Sequence, residues 1–134
     1  MQSSSVTASW LSENVFLLKD HAGFPLVMTQ PGGVNGADLL PLSLIGCAAW
    51  DVAAILKKQR QQITALDVSA DCERDEQPPW QFRRIRIIYR LRGRGLAEDK
   101  VQRAVDLAEQ KYCSVYVTLR LALEIEHEIH LTED

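Results

Sequence analysis

Hydrophobic and polar positions alternate in short runs over the first thirty residues, and turn-forming residues break the runs. Val6, Ala8 and Trp10 point one way, Ser12-Glu13-Asn14 reads as a turn, and Val15 to Lys19 forms a second strand. Asp20 to Gly23 turns the chain into Phe24 to Thr29, completing a small antiparallel meander. The glycines of the segment from Gln30 to Gly36 disfavour regular structure. A helix is expected to start near Ala37 or Asp38, with Asp38 placed to cap it or sit in its first turn. Pro41 is tolerated only near such a start.

From Leu39 to Leu56 the pattern is apolar almost all round, which predicts a helix buried on most sides. Its length approaches that of a membrane span, but Pro41, Ser43 and Asp51 interrupt it, so a core helix is expected and no membrane partner. It ends in the cationic run from Lys57 to Gln62, which suits a helix C-terminus. Beyond it, Leu66, Val68, Ala70 and Cys72 alternate with Asp67, Ser69, Asp71 and Glu73, giving a strand with Cys72 on its dry face. A second strand sets Ile85, Ile87, Tyr89 and Leu91 against Arg84, Arg86, Ile88, Arg90 and Arg92, and the two should pair antiparallel. Leu96 to Gln110 has helical spacing, with Val101, Ala104, Val105 and Ala108 on one side. Cys113 and Ser114 open a short helical turn through Leu119. The chain closes with a strand from Leu121 to Leu131, in which Leu123, Ile125, His127 and Ile129 alternate with Glu124, Glu126, Glu128 and His130.

With 134 residues and 46% hydrophobic content, a single domain spanning residues 1–134 is expected. A domain of this size leaves much of its surface exposed, which makes a homodimer an early expectation. A formal net charge of -3 offers no global attraction to nucleic acid or anionic membranes. Of the six arginines from Arg83 to Arg94, Arg84, Arg86, Arg90 and Arg92 are expected on one sheet face beside Asp67, Asp71 and Glu73 of the neighbouring strand, which neutralise them; no aromatic platform lies on that face, so no nucleic-acid partner is expected. The polar N-terminal segment lacks the basic and apolar regions of a secretory signal, and a cytoplasmic location is expected.

Three cysteines carry the candidate chemistry. In a reducing compartment they argue against a disulfide scaffold and leave redox, metal or inert roles. No CxxC motif or zinc spacing occurs; His127 and His130 are the available helpers, and neither a metal nor another cofactor is expected. Cys47 sits well inside its helix, beyond the reach of the helix dipole, with the carboxylate of Asp51 one turn on; by composition it reads as an inert core thiol. Cys113 follows Lys111 closely and stands at a helix start, where backbone N–H groups favour a thiolate, so it reads as the better-placed thiol, with a core residue as the alternative. His127, on the dry face, reads as a hydrogen-bonded core or interface histidine.

Three motifs in order, Asp38-Leu39-Leu40 with SLIGCAAWDVAAILKK, the arginine-rich strand ending in LRGRGL, and EQKYCSVYVTL before a glutamate-rich last strand, resemble the OsmC and organic hydroperoxide resistance (Ohr) family. The resemblance covers the chain from about Asn35 onward. It implies an α+β, OsmC-like fold with antiparallel sheets and long central buried helices, in an intertwined homodimer with active sites at the interface. It also implies reduction of organic hydroperoxides: Cys47 would attack the peroxide and become a sulfenic acid, and Cys113 would resolve it as a disulfide that a dithiol reductant reopens. Family peroxidases hold the reactive thiolate with an arginine before the central helix, oriented by an acid near the helix start. Asp38 falls where that acid is expected, but no arginine precedes Arg60. The alternative is therefore a non-enzymatic, ligand-binding or stress-associated dimer that keeps the fold and an apolar pocket.

Overall fold

In the computed structural model, which describes residues 1–134, the N-terminal alternation becomes three strands, β1 (Thr7–Ser12), β2 (Val15–Lys19) and β3 (Pro25–Thr29). They form an antiparallel sheet in the order β1-β2-β3, with Trp10 opposite Phe16 and Leu17 opposite Val27. The second turn closes because the Asp20 carboxylate accepts from the N–H groups of Ala22 and Phe24 at 2.9 and 2.8 Å, with Gly23 supplying a φ of 88°. Val34 bridges back to Met28, after which the Asn35 side chain accepts from Ala37 N–H at 2.8 Å. Helix α1 (Leu39–Lys58) then begins, so Asp38 stands immediately before it and not inside its first turn.

The chain divides into two units, Met1–Leu40 and Pro41–Asp134, and the second holds most of the core. It contains the remainder of α1, strands β4 (Gln62–Arg74) and β5 (Phe82–Arg94), helix α2 (Glu98–Leu107), a wide π-helical turn (Ala108–Tyr112), helix α3 (Ser114–Leu119) and strand β6 (Glu124–Glu133). As expected, β4 and β5 pair antiparallel along most of their length. The direction of β6 departs from the antiparallel expectation: it lies parallel to β5, giving the order β4-β5-β6. The physical reason is the connection, because the segment from α2 through α3 is long enough to carry the chain back across the sheet, as a parallel pair requires.

Strand β5 is the middle of this sheet, and Ile85, Ile87 and Tyr89 on its dry face are 0% exposed. The core is completed by Leu44, Ala48, Val52 and Leu56 of α1 and by Val101, Ala104 and Val105 of α2, at the three- and four-residue spacings that put side chains on one helix face. Helix α1 ends in a Schellman motif: Gln61 N–H reaches Leu56 C=O and Arg60 N–H reaches Lys57 C=O, both at 3.0 Å, with Arg60 in the left-handed region at φ 59°.

The expectation that α1 is buried nearly all round is corrected within the single chain. Leu42, Gly46, Trp50 and Ala54, spaced every four residues, form an exposed stripe, and Trp50 is 79% exposed. The helix is long and apolar enough to cross a membrane by length and composition alone, yet its opposite stripe closes the core of the second unit.

On the other face of β5, Arg84 and Arg86 are neutralised mainly by β6. Arg84 pairs with Glu124 at 3.0 Å and more loosely with Glu73 at 3.7 Å, while Arg86 reaches Glu126 at 3.3 Å and Glu128 at 3.4 Å. The aspartates expected to do this, Asp67 and Asp71, lie in register opposite Arg90 and Arg86 but form none of these pairs. The last strand sets Glu124 and Glu126 in register with Arg84 and Arg86 of its parallel neighbour. Ile88, between Arg86 and Arg90 on this face, is only 7% exposed.

Candidate active site

Two thiols that lie far apart in sequence meet in the second unit. Cys47 projects from the middle of α1 at the edge of its buried stripe and is half-buried. Cys113 ends the π turn, caps α3 and is 0% exposed. Its thiol lies close enough to the Cys47 thiol for Cys47 to influence its ionisation. Helix α3 forms where the sequence placed it because Cys113 adopts an extended conformation and its sulfur accepts from Tyr116 N–H at 3.4 Å.

The electrostatics of Cys113 reverse one expectation. Burial pushes the Cys113 thiol up to about 12, and the Cys47 thiol acts in the same direction, while backbone N–H groups of Tyr116 and Val115 oppose it. The helix start is present as expected, but desolvation outweighs it. Lys111 contributes to a different contact, with its ammonium 5.5 Å from the Tyr112 ring centre. Cys113 is therefore a protonated thiol at neutral pH, suited to a resolving role and not to first attack.

Cys72 was expected on the dry face of β4, but it is exposed, near the strand end. The strand keeps its alternation through Ala70, and the cover runs out before Cys72. Asp38 is exposed and belongs to the first unit. The β5 arginines Arg84, Arg86, Arg90 and Arg92 share the face opposite to Tyr89, so the sheet itself lies between them and the hydroxyl of that residue. His127 and His130 do not converge: they occupy opposite faces of β6, with His130 against Glu128 at 3.1 Å. No group of three or more His, Cys, Asp and Glu side chains converges as a metal site.

One cluster was missed by the sequence reading. Glu109, in the π turn, is 1% exposed, and both of its carboxylate oxygens are engaged. Tyr89 donates to Oε2 at 2.8 Å, and His127 Nδ1 lies 2.9 Å from Oε1. The Tyr89 and His127 rings meet edge to face with centres 6.2 Å apart. Gln102 of α2 extends the cluster, 3.2 Å from His127 Nε2 and donating to Asp106 at 3.1 Å. The available signal was spacing: Glu109 follows Val101 and Val105 at four-residue steps, which placed a carboxylate on the apolar face of its helix.

Burial, reinforced by the Glu109 charge, holds the Tyr89 hydroxyl far above the ordinary tyrosine range. The hydrogen bond to Glu109 raises His127 above its ordinary 6.5, against the opposing effect of burial. The stabilisation from this pair is thus complete below about 6.5 and is lost as pH rises through the folded value of His127. His127 also lines a cavity of about 480 Å³ with Glu98, Gln102, Ile129 and Leu131, which gives its ring access to solvent protons.

An OsmC-like protein family model matches residues 29–128. The chain is 35% identical over 121 residues to Protein YhfA of Escherichia coli strain K12, covering 88% of this chain and 90% of that protein. Among solved structures, a hypothetical protein from Aquifex aeolicus VF5 is 28% identical with a TM-score of 0.89, covering 100% of this chain and 99% of that one. The organic hydroperoxide resistance protein OhrB of Bacillus subtilis shares the fold at 18% identity and a TM-score of 0.60, covering 96% of this chain and 98% of that one.

Proposed function

The chain belongs to the OsmC-like protein family, and on that premise we propose that it reduces organic hydroperoxides with Cys47 and Cys113 as a thiol pair. The observation that carries this function is the proximity of the two thiols, brought together from α1 and from the start of α3. The Cys47 thiolate attacks a peroxide oxygen, the O–O bond breaks, and the alcohol leaves with a proton, which oxidises Cys47 to a sulfenic acid. The Cys113 sulfur then attacks Cys47, a disulfide forms, and the S–O bond breaks with release of water that carries the Cys113 proton. A dithiol reductant returns both cysteines to thiols and becomes a disulfide itself. Asp38, immediately before α1, is assigned the orienting acid of the site. The test is consumption of cumene hydroperoxide by pre-reduced protein in the presence of a dithiol; absence of turnover removes the peroxidase function.

The functional unit is a homodimer in the cytoplasm, with residues 1–134 acting as one domain, a reading supported by the fold likeness to the Aquifex aeolicus protein, which covers 100% of this chain. Dimerisation is supported by the apolar stripe of α1, where Leu42 is 50% and Trp50 79% exposed. Trp50→Glu should weaken the dimer by at least about 2 kcal/mol, or roughly thirtyfold in Kd, read by light scattering over a dilution series. An unchanged dimer would remove the stripe from the interface.

A non-enzymatic role, as a dimer holding an apolar ligand, is favoured by one observation. No arginine precedes Arg60, and the arginines of β5 lie on the face away from Tyr89. Alkylation of Cys47 followed across pH separates the two functions. A midpoint at or above the ordinary thiol value of about 8.5 supports the binding role, and one well below it supports the peroxidase.

A further inference from the structure

We propose that Glu109 and His127 are positioning residues for Cys113, clamping the π turn so that the Cys113 sulfur is held against Cys47. The proposal rests on the two cysteines forming a disulfide in the proposed function.

The first argument is the cost of Glu109 itself. A buried carboxylate carries a desolvation penalty of several kcal/mol that a well-packed apolar side chain would avoid. The neighbours on its helix face, Val101, Ala104, Val105 and Ala108, are apolar and fully buried. Glu109 departs from them and ties the turn to two strands at once, through Tyr89 of β5 and His127 of β6.

The second argument is the turn that carries it. Ala108–Tyr112 is a π turn, closed by Cys113 N–H on Ala108 C=O at 2.7 Å, one residue wider than an α-helical bond. Relaxation to α-helical bonding would rotate the following backbone by about 100° about the helix axis, the turn per residue of an α-helix. That rotation would carry the Cys113 sulfur away from Cys47. The clamp on Glu109 sits between the residue that opens the wide turn and the cysteine that ends it.

The third argument concerns the charges around His127. Glu109 of the π turn, Asp106, Gln102 and Glu98 of α2, and Tyr89 of β5 face its ring. Glu126 and Glu128 of its own strand lie on the opposite face, paired with Arg86. Protonation of His127 makes the hydrogen bond to Glu109 charge-assisted on both sides, so the clamp is tightest at low pH and loosens as His127 loses its proton.

The experiment equilibrates the full chain with reduced and oxidised dithiothreitol, and reads the Cys47–Cys113 disulfide by alkylation and intact mass. Two protein thiols give two electrons and two protons to the oxidised reagent, which becomes the dithiol. Glu109→Leu, with thermal unfolding showing a folded chain, should lower the disulfide equilibrium constant about tenfold or more, as misplacement by about an ångström does for reacting groups. Glu109→Gln keeps an acceptor for Tyr89 and should stay within about threefold of the wild type. The wild-type constant should fall between about pH 6 and 8, and His127→Gln should remove that dependence. A folded Glu109→Leu chain with an unchanged constant, or a His127→Gln chain with the wild-type pH profile, overturns the proposal. If Glu109→Leu does not fold, the pH comparison decides alone. Wild-type protein that forms the disulfide without consuming hydroperoxide removes the peroxidase function and leaves the clamp standing. Wild-type protein that forms no disulfide overturns both.

Discussion

Cys47→Ser protein is expected to lose hydroperoxide turnover by at least about a thousandfold, in line with removal of a covalent nucleophile. The remaining sulfur at the site cannot take over. Cys113 is buried, and its thiol is pushed up to about 12, so the thiolate needed for attack is scarce at neutral pH. Cys113→Ser should behave differently: one equivalent of hydroperoxide is consumed and Cys47 sulfenic acid accumulates, trapped by a dimedone-type reagent. A dye-based peroxide assay and intact mass check both. Turnover in Cys47→Ser equal to the wild type would sink the assignment of roles.

Gly93→Ala is the second large effect, and it acts on the fold. Gly93 is buried in β5 beside the irregular pairing with Ile63, and an added Cβ would meet the Gln62 carbonyl oxygen well inside van der Waals contact. Leu96 Cδ2 would be 3.1 Å away on another side. A side chain could rotate away, but the closest neighbour is backbone of the paired strand, so β4 or β5 must shift. The cost should approach the upper end of the range for overpacking, about 3 kcal/mol, or a change of roughly a hundredfold in the folded to unfolded ratio. Denaturant unfolding at constant m-value measures it; a loss below about 0.5 kcal/mol, the size of an ordinary surface effect, would contradict the close approach.

Local order was legible wherever one residue's neighbours along the chain decide it. The three N-terminal strands, the helix through Cys47, the alternating β4 and β5 and the short helix opened by Cys113 follow from periodicity and turn chemistry. The helix from Leu96 was legible in spacing but not in its widened end, because a π turn depends on what its side chains can reach. Glu109 is the particular case. Its spacing after Val101 and Val105 was visible, but a charged residue on an apolar face is credible only once Tyr89 and His127 are known to receive it. Cys72 failed in the opposite direction, since alternation assigns a face and not whether anything covers that face at the strand end.

By itself the sequence determined the class of fold and the family, because these rest on patterns along the chain and on motif order. Only the tertiary structure decided the state of the Cys113 thiol. The helix start that made Cys113 look like the reactive thiol is present, yet burial by the surrounding core outweighs a few backbone dipoles, and desolvation is a property of packed neighbours from α1, β5 and the π turn.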